Sequence, residues 1–268
     1  MSAVCGQIFC LSGQARRIAK IGELMENKPP SQAASAVILA LDASAESCSA
    51  SLWQAGQQVG FDKIEARHGH AARLVQLARS VWQGAGCDFA EITHIASCTG
   101  PGSFTGIRTA LAAATGFVLA GSAQPVGISG FAASLRYLQG HVQTQLADQG
   151  GLLLADTRRG SFHACAVTPD GQLAQIAEWP DAGLADCLEQ AAIKSGGLKS
   201  GTRPVIAGPA QLLDRLSVPA GYQSLPLEMQ AGLIAAEAAR LIGAGAPLPA
   251  LEPLYLSAPK LGPARQTG

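Results

Sequence analysis

Aromatic side chains make up 5% of this 268-residue chain, and charged ones only 14%. Net charge is absent too, with 19 basic residues against 19 acidic ones. That balance argues against a protein held to nucleic acid by phosphate attraction alone, while leaving room for a local basic patch. No apolar run approaches the ~20 residues that a membrane-spanning helix requires. The seven cysteines (Cys5, Cys10, Cys48, Cys87, Cys98, Cys165 and Cys187) are odd in number, scattered, and never spaced Cys-x-x-Cys. This speaks against a disulfide framework or a zinc ribbon and for a reducing cytoplasm, with most thiols serving as small buried hydrophobes. Alanine and glycine fill the place of bulky residues, which favours closely packed helices. At 48% apolar, the chain has enough for a sizeable core in one large domain or two lobes.

Residues 1–35 differ from the rest. Met1 to Lys20 contains no acidic residue but carries Arg16, Arg17 and Lys20, and Lys28-Pro29-Pro30-Ser31-Gln32 reads as a linker. The apolar patch Ile8 to Leu11 is too short for a secretory core. We expect a disordered extension, or a start assigned too early with Met25 as the true first residue.

The chain turns on the stretch Thr99-Gly-Pro-Gly-Ser-Phe-Thr-Gly-Ile-Arg108. An apolar run, Ile92 to Cys98, precedes it, and a helical, almost uncharged run from Phe104 to Ala120 follows. It is therefore a strand-to-helix loop in which glycine permits close backbone approach and Ser103 or Thr105 can cap the helix. The helix start is a potential anion site, or else the loop is a tight turn that binds nothing. Gly106, Ala110, Ala113, Ala114 and Gly116 would let another helix approach closely, either from this chain or from a partner.

A pattern repeats around this loop. Ala36 to Leu41 is an apolar run leading to Asp42, followed by strands at Cys48–Trp53 and near Val59 and Phe61 in a meander. His70 to Gln83 carries a helical apolar stripe, and Asp88 with Glu91 resembles a capping box. After a polar stretch, Leu152 to Ala155 leads to Asp156, and two more strands follow, turned by Pro169-Asp170-Gly171. Glu228 to Gly243 reads as an amphipathic helix and Pro253 to Leu256 as an extended segment. Two copies of one α/β unit, each headed by an aspartate, imply two lobes with a cleft between them. We divide the chain into the extension 1–35, an N-terminal lobe 36–138, a link 139–150, a C-terminal lobe 151–259 and a tail 260–268.

Gly100-Pro101-Gly102-Ser103-Phe104-Thr105-Gly106-Ile107-Arg108 resembles the signature loop of the bacterial TsaB (YeaZ) family. Leu39-Ala-Leu-Asp42-Ala-Ser44 is similar to that family's first strand, with Ala43 where threonine is usual. His70-Ala-Ala-Arg-Leu74, Leu154-Ala-Asp156-Thr-Arg158-Arg-Gly160 and Pro253-Leu-Tyr255-Leu are supporting matches. The resemblance implies an actin-like ATPase fold of two ribonuclease-H-like lobes with mixed sheets. It implies a non-catalytic subunit of the machinery that makes N6-threonylcarbamoyladenosine in tRNA. That subunit would bind and activate a TsaD-type threonylcarbamoyltransferase, meet a TsaE-type ATPase, touch tRNA only through the complex, form a homodimer when alone, and use no cofactor, metal or membrane. The helices headed by His70 and Gly106 would make the interface, through His70, Leu74, Leu77, Val81, Gly106, Ile107, Thr109, Ala110 and Ala113.

Catalytic readings compete with this one. The histidines are His68, His70, His94, His141 and His163; none are four apart, so the His-x-x-x-His pair of metal-binding relatives is missing. Asp42, Ser44 and Asp156 would line a vestigial nucleotide cleft, or the working cleft of a small-molecule kinase of the same superfold. The short turn Asp42-Ala43-Ser44 lacks glycines to wrap a phosphate, which weighs against the kinase. Arg158 and Arg159 would either meet tRNA phosphate or stay near Asp156.

Overall fold

The computed structural model describes residues 35–65, 70–141, 150–194, 203–254 and 256. The expected extension (Ser35 apart), most of the 139–150 link and the tail lie outside them.

The first sheet is ordered β3-β2-β1-β4-β5. Its strands are β1 (Val37–Asp42), β2 (Ser47–Gln54), β3 (Gln57–Glu65), β4 (His94–Gly100) and β5 (Gln124–Ser129). β1–β2–β3 is an antiparallel meander, and β4 and β5 add in parallel. Helices α1 (His70–Gly84) and α2 (Phe104–Ala120) cover one face. Both faces of β1 are covered, so all six of its residues are buried, which is why it reads as an uninterrupted apolar run. Asp88 and Glu91 do form a reciprocal capping box, around a single 3₁₀ turn at Phe89–Glu91.

The second sheet repeats the plan as β10-β9-β6-β7-β8. It contains β6 (Gly151–Asp156), β7 (Ser161–Val167), β8 (Leu173–Pro180), β9 (Val205–Gly208) and β10 (Gln223–Pro226). On its outer face lie α4 (Leu184–Lys194) and α5 (Ala210–Leu216). Between the two sheets runs α3 (Gly130–His141): Phe131, Leu135 and Leu138 pack on the second sheet, while Ala133 packs on the first. The result is the two-lobed actin-like ATPase fold.

Two expectations change. The last helix, α6 (Ala231–Gly243), is not amphipathic in context, because ten of its residues are buried. It leaves the second half of the chain and packs on the first sheet with Ile38, Trp53 and Val126, so a C-terminal lobe running unbroken over 151–259 gives way to a crossover. The serines of β2 likewise do not face water. Ser49 is fully buried, and its Oγ accepts the Ala231 amide at 2.8 Å, capping α6 from another element. Beyond α6, the chain runs back along the first lobe: the Gly127 amide donates to the Pro249 carbonyl and the Leu254 amide to that of Thr99, each at 2.8 Å.

Candidate functional site

The glycine-rich loop is seated on its own chain. Its Ser103 amide donates to the Ser44 carbonyl at 2.8 Å, and the Ser103 hydroxyl caps α2 by accepting the Gly106 amide at 3.3 Å. A Cβ on Gly102 would lie 2.7 Å from the Ser44 carbonyl oxygen, and one on Gly106 would overlap the Ala43 carbonyl. Gly100 has φ +119°, with Ile107 and Leu254 beside it. Glycine is needed here because the turn Asp42-Ala43-Ser44 presses against the loop. Pro101 is buried, Gly102 and Ser103 are half-buried, and Phe104, Thr105 and Arg108 face out. The Arg108 guanidinium sits 4.0 Å above the Phe104 ring.

The two strand-end aspartates have diverged. Asp42 is 1% exposed, and its Oδ1 accepts the Ser44 amide at 3.0 Å. Burial pushes its carboxyl up to about 6, against the pull of the Ser44 amide and of nearby Lys63. Asp156 is held by Arg215 of α5, with Nη1 to Oδ2 at 3.0 Å and Nη2 to Oδ1 at 2.9 Å. Burial alone would raise Asp156, but hydrogen bonds from Arg215 and the Arg158 amide outweigh it and leave it below the usual carboxylate range. Arg215 also reaches Asp181 at 2.8 Å. No sequence signal marks this clamp, since its partners lie 59 and 34 residues apart.

The cleft between the lobes is lined by Ser44, Gly102, Gly130, Asp156, Arg158 and Glu228, among others. It holds about 70 Å³, far less than the roughly 300 Å³ and upward that small-molecule sites offer. Arg158 and Arg159 are exposed, the first in the left-handed region at φ 60° with its amide on Asp156 Oδ1. Buried thiols are pushed up, Cys98 to about 12, leaving it a poor nucleophile. Among the described residues, no three of His, Cys, Asp and Glu converge as metal ligands, and no helix is long and apolar enough to cross a membrane.

The outer helices require a different contact list from the one expected. Leu74, Leu77, Val81 and Ala110 lie in the first lobe's own core, Gly106 is buried against Ala43, and Ile107 is 7% exposed. These six are covered by this chain and are withdrawn as partner contacts. Thr109 and Ala113 are half-buried; His70 opens α1, and its side chain lies outside the described residues. Among the α2 residues that face water, Phe104, Arg108, Ala112, Thr115 and Leu119 form a stripe at three- and four-residue spacing. On α1 the exposed residues include Val75, Gln76, Arg79 and Gln83. Val75 is 43% exposed and Leu119 82%. The polar interruptions on both helices mark this stripe in the sequence, but a helix apolar nearly all round hides which side is covered.

A family model described as TsaD, tRNA N6-adenosine threonylcarbamoyltransferase, matches residues 57–189. Over 92 residues the chain is 32% identical to the Escherichia coli tRNA threonylcarbamoyladenosine biosynthesis protein TsaB, covering 34% of this chain and 39% of that one. Over 82 residues it is 38% identical to the TsaB of Buchnera aphidicola, covering 31% and 37%. The matched part thus spans well under half the length of these relatives. YeaZ from Pseudomonas aeruginosa shares the fold, with a TM-score of 0.64 at 21% identity over 82% of this chain and all of that one. A second Pseudomonas aeruginosa structure, described as an uncharacterized protein with similarity to peptidase YEAZ, gives 0.65 at 21% identity over 83% of this chain. Taken with the Gly100–Arg108 loop and the two-lobed architecture, these likenesses support the resemblance to the TsaB (YeaZ) family.

Proposed function

We propose that this protein is a non-catalytic subunit of the machinery that builds N6-threonylcarbamoyladenosine in tRNA, and that it binds and activates a TsaD-type transferase through the outer face of α1 and α2. The observation that carries this reading is the pair Val75 and Leu119, large apolar side chains left in water on two packed helices, with Phe104 also exposed at the start of α2. The curated relatives' names supply the pathway. The small cleft and the Arg215 clamp on Asp156 support a scaffold over an enzyme. In this reading the chain works in the cytoplasm without cofactor or metal, and the same face makes a homodimer when no partner is present. The TsaE-type ATPase and tRNA engage the assembled complex.

The test is co-elution of the purified chain with the transferase subunit on size exclusion. Leu119→Glu is expected to abolish it while leaving the circular dichroism spectrum unchanged; a variant that still co-elutes normally moves the interface elsewhere.

Asp42 favours one second reading, a small-molecule kinase, because its carboxylate stands at the end of β1, where a phosphotransferase would orient a hydroxyl. Titration with ATP decides: tight binding with turnover by the isolated chain selects the kinase.

A further inference from the structure

Asp42 is shut in with one carboxyl oxygen unanswered. It is 1% exposed, its Oδ1 accepts the Ser44 amide, and its buried Oδ2 has no hydrogen-bond partner among the described residues. The charges around it are committed elsewhere. Lys63 of β3 is the cation whose charge reaches it, and the Lys63 Nζ is held by Glu65 and Glu228 at 3.1 Å each. On β2 and β4, Cys48 and Cys98 sense the carboxylate, with thiols pushed up to about 11 and about 12, so both keep their protons. Packed along β1, α6 carries Glu237 and Arg240, bound to each other at 2.8 Å. In the cleft lined by Ser44, Asp156 is gripped by Arg215, and Glu46, Arg158 and Glu228 complete the ionisable lining. A negative charge on Asp42 is therefore left without an ion-pair partner, and a buried unpaired charge is far costlier than a buried neutral acid.

Short contacts carry the state of this carboxyl to the outer helices. The Ser44 carbonyl accepts the Ser103 amide at 2.8 Å. Ser103 in turn starts α2: its hydroxyl accepts the Gly106 amide at 3.3 Å and its carbonyl the Ile107 amide at 2.8 Å. There is no slack between turn and loop, because a Cβ on Gly102 or Gly106 would collide with the Ser44 or Ala43 carbonyl. Packed contacts of this kind switch between arrangements rather than stretch. The water nearest to the turn is in the cleft, where Ser44 is a lining residue. An ionised Asp42 gains hydration by moving the 42–44 turn that way, and the loop rests on that same turn.

We propose that Asp42 is a proton-operated latch for the glycine-rich loop. With the proton bound, the carboxyl stays under the turn, and Ser44 seats Ser103 and the start of α2. On ionisation the proton passes to water through the cleft, the turn follows the carboxylate outward, and the Ser103 and Gly106 hydrogen bonds open. The latch acts within one chain and does not rest on the proposed function.

Amide hydrogen exchange of the full chain from pH 5 to 7.5, corrected for the intrinsic pH dependence of exchange, tests the latch. Burial pushes the carboxyl up to about 6 from 3.8, so opening at Gly106 and Ile107 is expected to rise about tenfold between pH 5 and 7. The amides of β6, at the centre of the second sheet, are expected to stay level. Asp42→Asn is expected to abolish the rise. Lys63→Gln removes a charge that favours the ionised form and is expected to move the rise to higher pH. Level exchange at Gly106 and Ile107 in the unmodified chain overturns the inference. An equal rise in β6 overturns it too, since that reports unfolding of the whole chain. A rise that persists in Asp42→Asn, or one that Lys63→Gln does not move, assigns the proton to another group and also overturns it. The measurement needs no partner, so its failure leaves the proposed function standing.

Discussion

The backbone amide of Ser103 donates to the carbonyl of Ser44 at 2.8 Å, across 59 residues of chain. This bond ties the glycine-rich loop to the turn after β1, and with it the start of α2. The position of the outer helical face thus depends on a contact between two turns, where small changes have large effects.

Gly106 and Gly116 lie on the same helix, in opposite circumstances. Alanine at Gly106 drives its methyl into the Ala43 carbonyl, whereas at Gly116 nothing lies within 4 Å. Urea unfolding is expected to show Gly106→Ala losing about 2–3 kcal/mol by overpacking and Gly116→Ala gaining about 0.5–1 kcal/mol from helix propensity.

Buried Asp42 makes stability depend on pH in a fixed direction. Its carboxyl titrates near 6 when folded and near 3.8 when unfolded, so between these values the folded state holds a proton that the unfolded state has lost. Its contribution is greatest below pH 3.8 and falls as pH rises to 6, by about 3 kcal/mol at most. Asp42→Asn keeps an acceptor for the Ser44 amide and removes this dependence. Thermal melts are expected to show the variant's advantage growing from pH 4 to 6 and level above that.

Arg215 has the opposite sign. It helps hold Asp156 below its usual range, so the stability it lends is present above about pH 4 and is lost as acid protonates the carboxylate. With Arg215 partly exposed, Arg215→Ala is expected to cost about 1–2 kcal/mol at pH 7 and less in acid, measured by unfolding at both pH values.

Charge on α2 separates core from surface. Ala110 is fully buried and Leu119 82% exposed. Ala110→Glu buries an unpaired carboxylate and is expected to abolish soluble folded protein, whereas Leu119→Glu is expected to melt within about 0.5 kcal/mol of wild type. Were Ala110→Glu to fold normally, the placement of α2 in the core would be wrong.

Local pattern carried much of this architecture. The continuous apolar run of β1, the meander after it, the capping box at Asp88 and the restart at Leu152 are short-range signals that periodicity and turn chemistry expose directly. The identity of the Gly100–Arg108 loop was equally plain from its residues. Other features depended on elements far apart in the chain. Whether Leu74 and Ala110 meet solvent, why Gly106 must be glycine, that α6 returns to the first sheet under a Ser49 cap, and that Arg215 neutralises Asp156 all follow from which surfaces packing brings together. A helix that is apolar nearly all round carries no mark of the side its own chain will cover, and a buried aspartate carries none of the cation it will or will not find. Composition set how much could be buried; only the folded packing decided what was.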